Sequence, residues 1–488
     1  MSTVRVRFAP SPTGDPHLGN IRTAVFDYLF ARATGGTFIL RVEDTDRARL
    51  NDGSLERMYE ALAWLGIEPD EGVYVDGQGK VCQRGDVGPY VQSERKEIYG
   101  KYAKELLEAG KAYRCFATAE ELDEMRKAQQ AAGQPPRYDR RFRDLPREES
   151  DSRAAAGDPF VIRQAMPLTG EVLVHDVIRG DVSFQCSDLD DHVLLKADGY
   201  PTYQFANVVD DHLMGITHVL RGEEYVSSAP KNVLLYQAFG WEAPTWAHLP
   251  LIVGADKAKL SKRHGAETVL AYRDKGYLPE AILNTLAFIG WNPGTEEEFF
   301  TKDQLSERFT LERIQKAAAV FNPERLDFVN GHYIRQMTDE VVAQHMLPWL
   351  QKDGIQVTDK SYLAKVAGLL KERFKHFDET AAFSWFFFKR PDVTDELKDL
   401  VVPKKLTYEQ VQENLRFAVE ILEELEDWSQ ESLHTTLMEA IAGAGKKNGE
   451  VLWPIRAALT GEAASPGAFE MLEVLGKAES LERVRPLL

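Results

Sequence analysis

Three cysteines in 488 residues, Cys82, Cys115 and Cys186, form an odd and scattered set. That argues against a disulfide framework and for a reducing compartment. No run of about 18 apolar residues occurs, so no membrane span is expected. MSTVRVRFAP opens the chain without an apolar h-region, so no export segment is expected and the location read is cytoplasmic. Positive charge is scarce: 59 Lys and Arg stand against 77 Asp and Glu, a net charge of −18. This argues against a generic polyanion binder, and does not exclude RNA, which a local patch and a shape match can bind. Three fingerprints are missing as well: no G-x-G-x-x-G follows the first strand-like run, no Walker A loop is present, and no G-x-S-x-G elbow occurs. What remains, 43% hydrophobic and 28% charged residues, is the composition of a soluble globular chain. Its length suits about three to five domains.

The chain is organised around its opening stretch. Val4, Val6 and Phe8 alternate with Arg5 and Arg7, which predicts a short strand ending at Pro10. SPTGDP is dense in turn-formers. From Asn20, Ile21, Ala24, Val25, Tyr28 and Leu29 fall on one helical face, and Gly35-Gly36 ends the helix. Thr37 to Val42 reads as a second strand, so the unit is strand–loop–helix–strand, the start of a Rossmann-like parallel sheet. His17, Leu18, Gly19 and Asn20 sit where the loop enters the helix. A helix N-terminus there suits a phosphate, Gly19 permits close approach, and the His17 imidazole can donate to phosphate oxygens. More than two hundred residues later, after an apolar run at Leu249 to Val253 and a turn at Gly254-Ala255-Asp256, stands Lys259-Leu260-Ser261-Lys262-Arg263-His264-Gly265. A loop with two lysines can place ammonium groups on a triphosphate as charge moves to leaving pyrophosphate.

Together these motifs resemble a class I aminoacyl-tRNA synthetase, HLGN being similar to the HIGH-type signature and KLSKR to the KMSKS-type signature. APSPTG, RVEDTD, DGYPTYQFANVVDDHLMGITHVLRGEE and LSKRHGA resemble the glutamyl-tRNA synthetases of bacterial type, over almost the whole length. The resemblance implies an α/β fold: a Rossmann-like catalytic domain at 1–98 and 205–254, with an inserted α+β acceptor-binding domain at 99–204. A stem-contact domain at 255–338 carries KLSKR, and helical anticodon-binding domains follow at 339–395 and 396–488. It implies ATP-dependent formation of glutamyl-adenylate and transfer to tRNA-Glu, ATP being a substrate that brings its own Mg2+, and a monomer is expected. Some relatives carry zinc in the insert, beginning at two near-adjacent cysteines. Here Cys115 is followed by Phe116 and Ala117, so no zinc is expected.

The family's amino-acid pocket maps onto Arg7, Ser11, Glu43, Tyr203, Asn207 and Arg221. Arginines at strand ends pair carboxylates, Glu43 can hold an ammonium, and Tyr203 and Asn207, four apart, can add neutral hydrogen bonds. Two arginines favour glutamate over glutamine, and which of them takes the γ-carboxylate stays open. For ATP the expected residues are His17, Gly19, Asn20, Lys259, Ser261 and Lys262, with His17, Lys259 and Lys262 catalytic. Neither step needs a covalent enzyme intermediate. Asp44 and Asp46, like Asp210 and Asp211, read as turn or cap residues rather than a dedicated metal site.

Along the rest of the chain, helices are expected with Leu55, Met58, Tyr59, Leu62 and Leu65 on one face and again from Glu94 to Glu108, with loop text up to Tyr90 between them. Strand text is expected at Val172 to Val174, Phe205 to Asp211, Thr217 to Arg221 and Leu249 to Val253. The chain after about residue 255 reads as helical. There Lys365, Lys371, Arg373 and Lys375 form a local basic patch, and Arg373 matches an arginine with which relatives read the third anticodon base and reject glutamine tRNA. Lys446-Lys447 with Arg456 form a second basic spot, and Trp453 reads as core. An enzyme that also charges tRNA-Gln, an adenylate-forming enzyme without tRNA, and an inactive RNA-binding paralogue are the competing readings.

Overall fold

The computed structural model describes residues 3–260 and 267–488, which divide into two compact units, residues 1–273 with 279–323 and residues 274–278 with 324–488.

The first unit opens as β1 (Arg5–Phe8), α1 (Leu18–Ala33) and β2 (Thr37–Leu40), with α2 (Ser54–Trp64), β3 (Glu71–Val75) and β4 (Val81–Arg84) following. β1, β2 and β3 are parallel, with Arg7 opposite Ile39, and β4 turns back antiparallel to β3. The strand pair β3–β4 falls where loop text is expected. Its short runs are interrupted by Gly72, whose φ is 111° and whose missing Cβ would lie 2.1 Å from the Leu40 carbonyl oxygen. Glycine is what lets β3 approach β2, and it also breaks the alternation that would reveal the strand.

After α3 (Lys96–Glu108) come β5 (Ala112–Cys115), α4 (Ala119–Ala131), α5 (Arg147–Ala155), β6 (Val161–Gln164), β7 (Glu171–Asp176), β8 (Gly180–Gln185) and β9 (Val193–Leu195), of which β5, β6 and β9 form a sheet of their own while β7 and β8 do not join it. There follow α6 (Tyr203–Leu213), β10 (His218–Gly222), α7 (Ala229–Phe239), β11 (Thr245–Leu249) and β12 (Ile252–Val253), and β10 and β11 share a four-stranded sheet with β7 and β8. β10 pairs parallel with β11, and β11 with β7. Thr217, just before β10, donates its N–H to the Arg5 carbonyl at 3.0 Å, which seats β10 beside β1. α8 (Val269–Asp274), α9 (Pro279–Phe288), α10 (Lys302–Arg308) and β13 (Ala319–Val320) complete the unit.

Residues 205–211 are helical, a correction to the strand expectation. Val208 and Val209 are β-branched, but Phe205, Ala206, Val208 and Val209 are all fully buried because α6 is covered on several sides. The strand text at 249–253 divides into the end of β11 and β12. α1 is likewise buried from Ile21 to Ala31 apart from Thr23, packed between β1, β2 and the helices α9 and α10.

The second unit is helical, from α11 (Pro323–Gln336), α12 (Asp339–Lys352), α13 (Lys360–Leu370), α14 (Thr380–Phe388) and α15 (Asp395–Leu400) to α16 (Tyr408–Glu424), α17 (Gln430–Gly443), α18 (Asn448–Thr460) and α19 (Ala468–Val484). Val411, Leu415, Ala418 and Leu422 are buried along α16, the face that the periodicity predicts. α19 is interrupted at Gly476, where φ is 76°. Among the described residues no helix is long and apolar enough to cross a membrane.

Candidate active site

The phosphate end of the site is built on the start of α1. His17 is the N-cap, and its Nδ1 accepts the N–H groups of Gly19 at 3.1 Å and Asn20 at 3.3 Å. Nδ1 therefore carries no proton, and the neutral ring keeps its proton on Nε2 as a donor. Although His17 is exposed on one side, desolvation by the protein around it lowers its pKa and the Lys259 ammonium lowers it further, against a pull from Glu224. A Cβ on Gly19 would sit 3.1 Å from the His17 ring, so glycine here gives the ring room to fold onto the backbone. Lys259 pairs with Val253, and Leu260 donates to the Ile252 carbonyl at 3.0 Å, which folds this segment back on β12. The chain then returns to the first loop, with Thr268 bridged to His17 and the Val269 N–H on the Pro16 carbonyl at 3.0 Å. Two motifs more than two hundred residues apart thus meet. Ser261 and Lys262 lie outside the described residues.

Beside this lies a buried charge network at the carboxyl ends of β1, β2 and β10. Arg7 sets Nε and Nη2 on Asp211 at 3.0 and 3.3 Å. Arg41 bridges Asp211 at 2.7 Å and Glu43 at 2.9 Å, and Asn207 adds an amide N–H to Glu43 at 3.0 Å. Asp210 is met by Arg95 at 2.7 Å, Tyr99 at 2.8 Å and Gln92 at 2.9 Å. Burial pushes Asp211 up, but Arg7 and Arg41 outweigh it and hold the carboxyl below its usual range. Glu43 and Asp210, where burial dominates, are raised despite their arginines.

Arg221 is different. Its Nε donates to His248 Nε2 at 3.0 Å, while Nη1 and Nη2 are buried with no hydrogen-bond partner among the described residues. Burial lowers its pKa, against a pull from the nearby Tyr203 hydroxyl, which does not reach hydrogen-bond geometry with either Nη. The guanidinium lies 4.8 Å from the centre of the Trp246 ring and 5.4 Å from that of Tyr225, and Tyr225 stacks on Tyr203 at 5.5 Å. A buried cation with an open fork is costly, and an anion is the chemical group that would satisfy it.

The structure brings together Arg7, Glu43, Tyr203, Asn207 and Arg221, and in a second group His17, Gly19, Asn20 and Lys259. Ser11 is exposed, its carbonyl accepting the Thr13 N–H at 2.8 Å. Tyr203 and Asn207 come from a helix rather than from a strand end. Sequence reasoning missed Arg41, Arg95, Asp210 and Asp211 as the ion partners and Asp176, His248 and Tyr225 around Arg221. A signal existed for α6: Tyr203, Asn207, Asp210 and Asp211 have the spacing of one helical face. Asp44, by contrast, caps a turn by accepting the Ser93 N–H at 2.8 Å, and Asp46 pairs with Arg49 at 2.5 Å.

Comparison with known proteins places this geometry. The model of the catalytic domain of tRNA synthetases class I (E and Q) matches residues 3–328, and an anticodon binding domain model matches residues 341–488. A glutamate–tRNA ligase of Clostridioides difficile is 44% identical, covering 99% of this chain and 98% of its own. One from Finegoldia magna is 41% identical over the whole of both chains. The crystal structure of a glutamate tRNA ligase from Elizabethkingia meningosepticum, in complex with its amino acid, superposes with a TM-score of 0.90 at 37% identity, covering 100% of this chain and 99% of that one. The chain belongs to the glutamate–tRNA ligase family of class I tRNA synthetases.

In this family member the two basic regions of the second unit meet. Arg373 is exposed and donates Nη2 to the Ser465 carbonyl at 3.1 Å, and Arg456 donates to Ser465 Oγ at 2.7 Å. Lys365, Arg373 and Lys375 are exposed, Lys375 pairing with Asp327 at 3.7 Å, while Lys371 is half-buried against Asp339 at 2.8 Å. Lys446 donates to Asn414 at 2.6 Å and Lys447 pairs with Glu450 at 3.1 Å. Trp453 gives its indole N–H to the Leu400 carbonyl at 2.9 Å, with Arg456 stacked 4.5 Å from its ring centre. At the end of β5, the Cys115 thiol is buried and donates to Tyr138 Oη at 3.1 Å. Among the described residues no group of His, Cys, Asp and Glu could hold a metal ion.

Proposed function

We propose that this chain is a glutamate–tRNA ligase. It activates L-glutamate with ATP to glutamyl-adenylate, releasing pyrophosphate, and transfers the glutamyl group to the 3′ end of tRNA-Glu, releasing AMP. The observation that carries the reading is Arg221, a buried guanidinium whose Nη groups have no hydrogen-bond partner among the described residues, in the field of Tyr203, Arg7 and Asp211. Arg7 has Nε and Nη2 engaged by Asp211, so Arg221 is the better candidate for a substrate carboxylate. A glutamine amide there would leave the buried cation unpaired, which disfavours it.

Glutamate sits against Arg7, Ser11, Glu43, Tyr203, Asn207 and Arg221, with its ammonium toward Glu43. ATP arrives with its own Mg2+ and lies on the start of α1. His17 offers Nε2–H to its phosphates without adding a charge, and Gly19 and Asn20 offer the helix N-terminus. Lys259 and, by the resemblance, Ser261 and Lys262 close on the phosphates as negative charge moves to the leaving pyrophosphate. No zinc is assigned, since Cys115 is followed by Phe116 and Ala117 with no cluster of Cys or His nearby in the sequence. The insert at 99–204 takes the acceptor end of tRNA, 255–338 the stem, and the helical parts at 339–395 and 396–488 the anticodon, with Arg373 as the reading residue. The enzyme then works in the cytoplasm, as a monomer whose one chain carries both units.

The test is charging of tRNA-Glu and tRNA-Gln transcripts with labelled glutamate, using the wild type, Arg373→Gln and Arg221→Ala. Glutamate on tRNA-Glu alone, relaxed choice in Arg373→Gln and a loss of roughly a hundredfold or more in kcat/KM for glutamate in Arg221→Ala are expected. Charging of both tRNAs by the wild type would replace this reading with a non-discriminating enzyme. No charging of either would refute it.

A further inference from the structure

The two arginines of the pocket are held by partners of opposite kind. Arg7 meets a carboxylate, Asp211, and is neutralised by it. Arg221 meets an imidazole, His248, and is not. Arg221 and His248 are cross-strand partners in the β10–β11 register, and two positions before His248 on β11 Trp246 stands opposite Asp176 of β7. Asp176 accepts the His248 backbone N–H at 3.0 Å and faces His248 Nδ1 at 2.6 Å with the same oxygen. Its other oxygen accepts the N–H groups of Ile178 at 2.9 Å and Arg179 at 2.7 Å.

These contacts allow one direction of donation. Asp176 receives three backbone N–H groups and its pKa is held down, so it is a carboxylate and only accepts. Nδ1 of His248 must then donate, Nε2 must carry the lone pair, and Arg221 Nε donates to it. The ring is neutral.

We propose that His248, fixed in one tautomer by Asp176, is a positioning residue for glutamate: it orients Arg221 through Nε without neutralising it, and so reserves both Nη groups for the substrate carboxylate. A carboxylate in its place would fill the cation, as Asp211 does for Arg7. An apolar residue would leave the guanidinium free to turn. Asp176 closes β7, inside the insert at 99–204, so that insert takes part in shaping the amino-acid pocket through two buried side chains. The charged groups around His248 are Asp176, Arg221 and Arg179. Arg179 donates Nε to the His248 carbonyl at 3.3 Å and is itself paired with Glu223. Two guanidinium groups against one carboxylate also disfavour a proton on the ring.

The inference rests on the glutamate-pocket reading, so Arg221→Ala is measured in parallel with the His248 variants. The full-length chain charges tRNA-Glu with glutamate and ATP varied separately. His248→Leu, which removes the acceptor, is expected to raise KM for glutamate about tenfold or more, with kcat and KM for ATP changing less than about threefold. His248→Gln, whose side-chain oxygen can still accept from Nε, is expected to stay within about threefold of wild type. A fall in kcat with unchanged KM for glutamate in His248→Leu, or a Gln variant as impaired as the Leu variant, would overturn the positioning role. If His248→Leu does not fold, selective nitrogen-15 labelling of histidine decides instead. The His248 signal, assigned by its loss in His248→Gln, must show a bare Nε2 and a protonated Nδ1, and the opposite tautomer or a doubly protonated ring overturns the proposal. Arg221→Ala with unchanged KM for glutamate would overturn the pocket reading and this inference together. A large effect there with none in His248→Leu would overturn this inference alone.

Discussion

The two units treat charge in opposite ways. The first buries Arg7, Arg41, Arg95, Arg221, Glu43, Asp210 and Asp211 around one site, each with at most 4% of its surface exposed. In the second, Arg483 is the one charged residue that is buried among the described residues. It is satisfied by the carbonyls of Phe386 and Leu459 and by Glu479 at 2.8 Å. Other charges of that unit form exposed pairs such as Arg485 with Glu423 at 2.7 Å. Buried ions are a poor way to stabilise a fold, because desolvation offsets most of the attraction. Their concentration in one unit therefore marks where the chain must hold charges at fixed positions. The helical unit, with an apolar core and polar faces, presents its arginines on the surface instead.

The strongest way to break this comparison is Asp211→Ala. Arg7 loses its carboxylate and Arg41 keeps only Glu43 and the more distant Asp210, so two buried cations are left undercompensated. A loss of about 3–5 kcal/mol in the first unit is expected, read by urea unfolding with hydrogen exchange on β1 and α6. A loss below about 1 kcal/mol would mean the network behaves like a surface one.

A smaller effect is expected at His192, next to β9. Both its ring nitrogens are buried without a partner among the described residues, and burial, with Lys231 and Arg163, lowers its pKa to about 3. The native state thus excludes a proton that the unfolded chain binds below about pH 6.5. The stability that depends on neutral His192 is complete above that pH and is lost as pH falls toward 3. His192→Phe should gain on wild type by about 2 kcal/mol between pH 7.5 and pH 5, in the first unit. A pH-independent difference would show that the ring titrates normally.

Legibility followed the same division. The strand–loop–helix–strand opening could be read because its turn-formers and helical period are local, and the amphipathic α16 could be read for the same reason. Arg7, Glu43 and Arg221 were recognisable as strand-end groups, since each lies in or just after a strand. What those arginines do with their charge was not. Arg7 is joined to Asp211 across 204 positions, and no local pattern marks an ion pair of that separation. α6 was misread because the Val208-Val209 pair gives a β signal within a helix buried nearly all round, where the apolar period fades. The polar residues kept the helical period instead. Ser11 was placed in the pocket by resemblance alone, and its exposure has no counterpart in the sequence pattern.

The smallest effect is expected at Arg390 in the second unit. Its guanidinium reaches Glu479 at 2.7 Å and also pairs with Glu482, with about half of its side chain exposed. Glu479 keeps a second cation, Arg483, at 2.8 Å, so removing Arg390 strands no buried charge. Water and salt take over most of what an exposed pair supplies. Arg390→Ala should therefore leave the urea midpoint of the helical unit unchanged within error, at low and at high salt alike. A midpoint shift as large as that of Asp211→Ala would mean that the surface pairs of the second unit hold it together as firmly as buried ions hold the first, and the contrast between the units would fail.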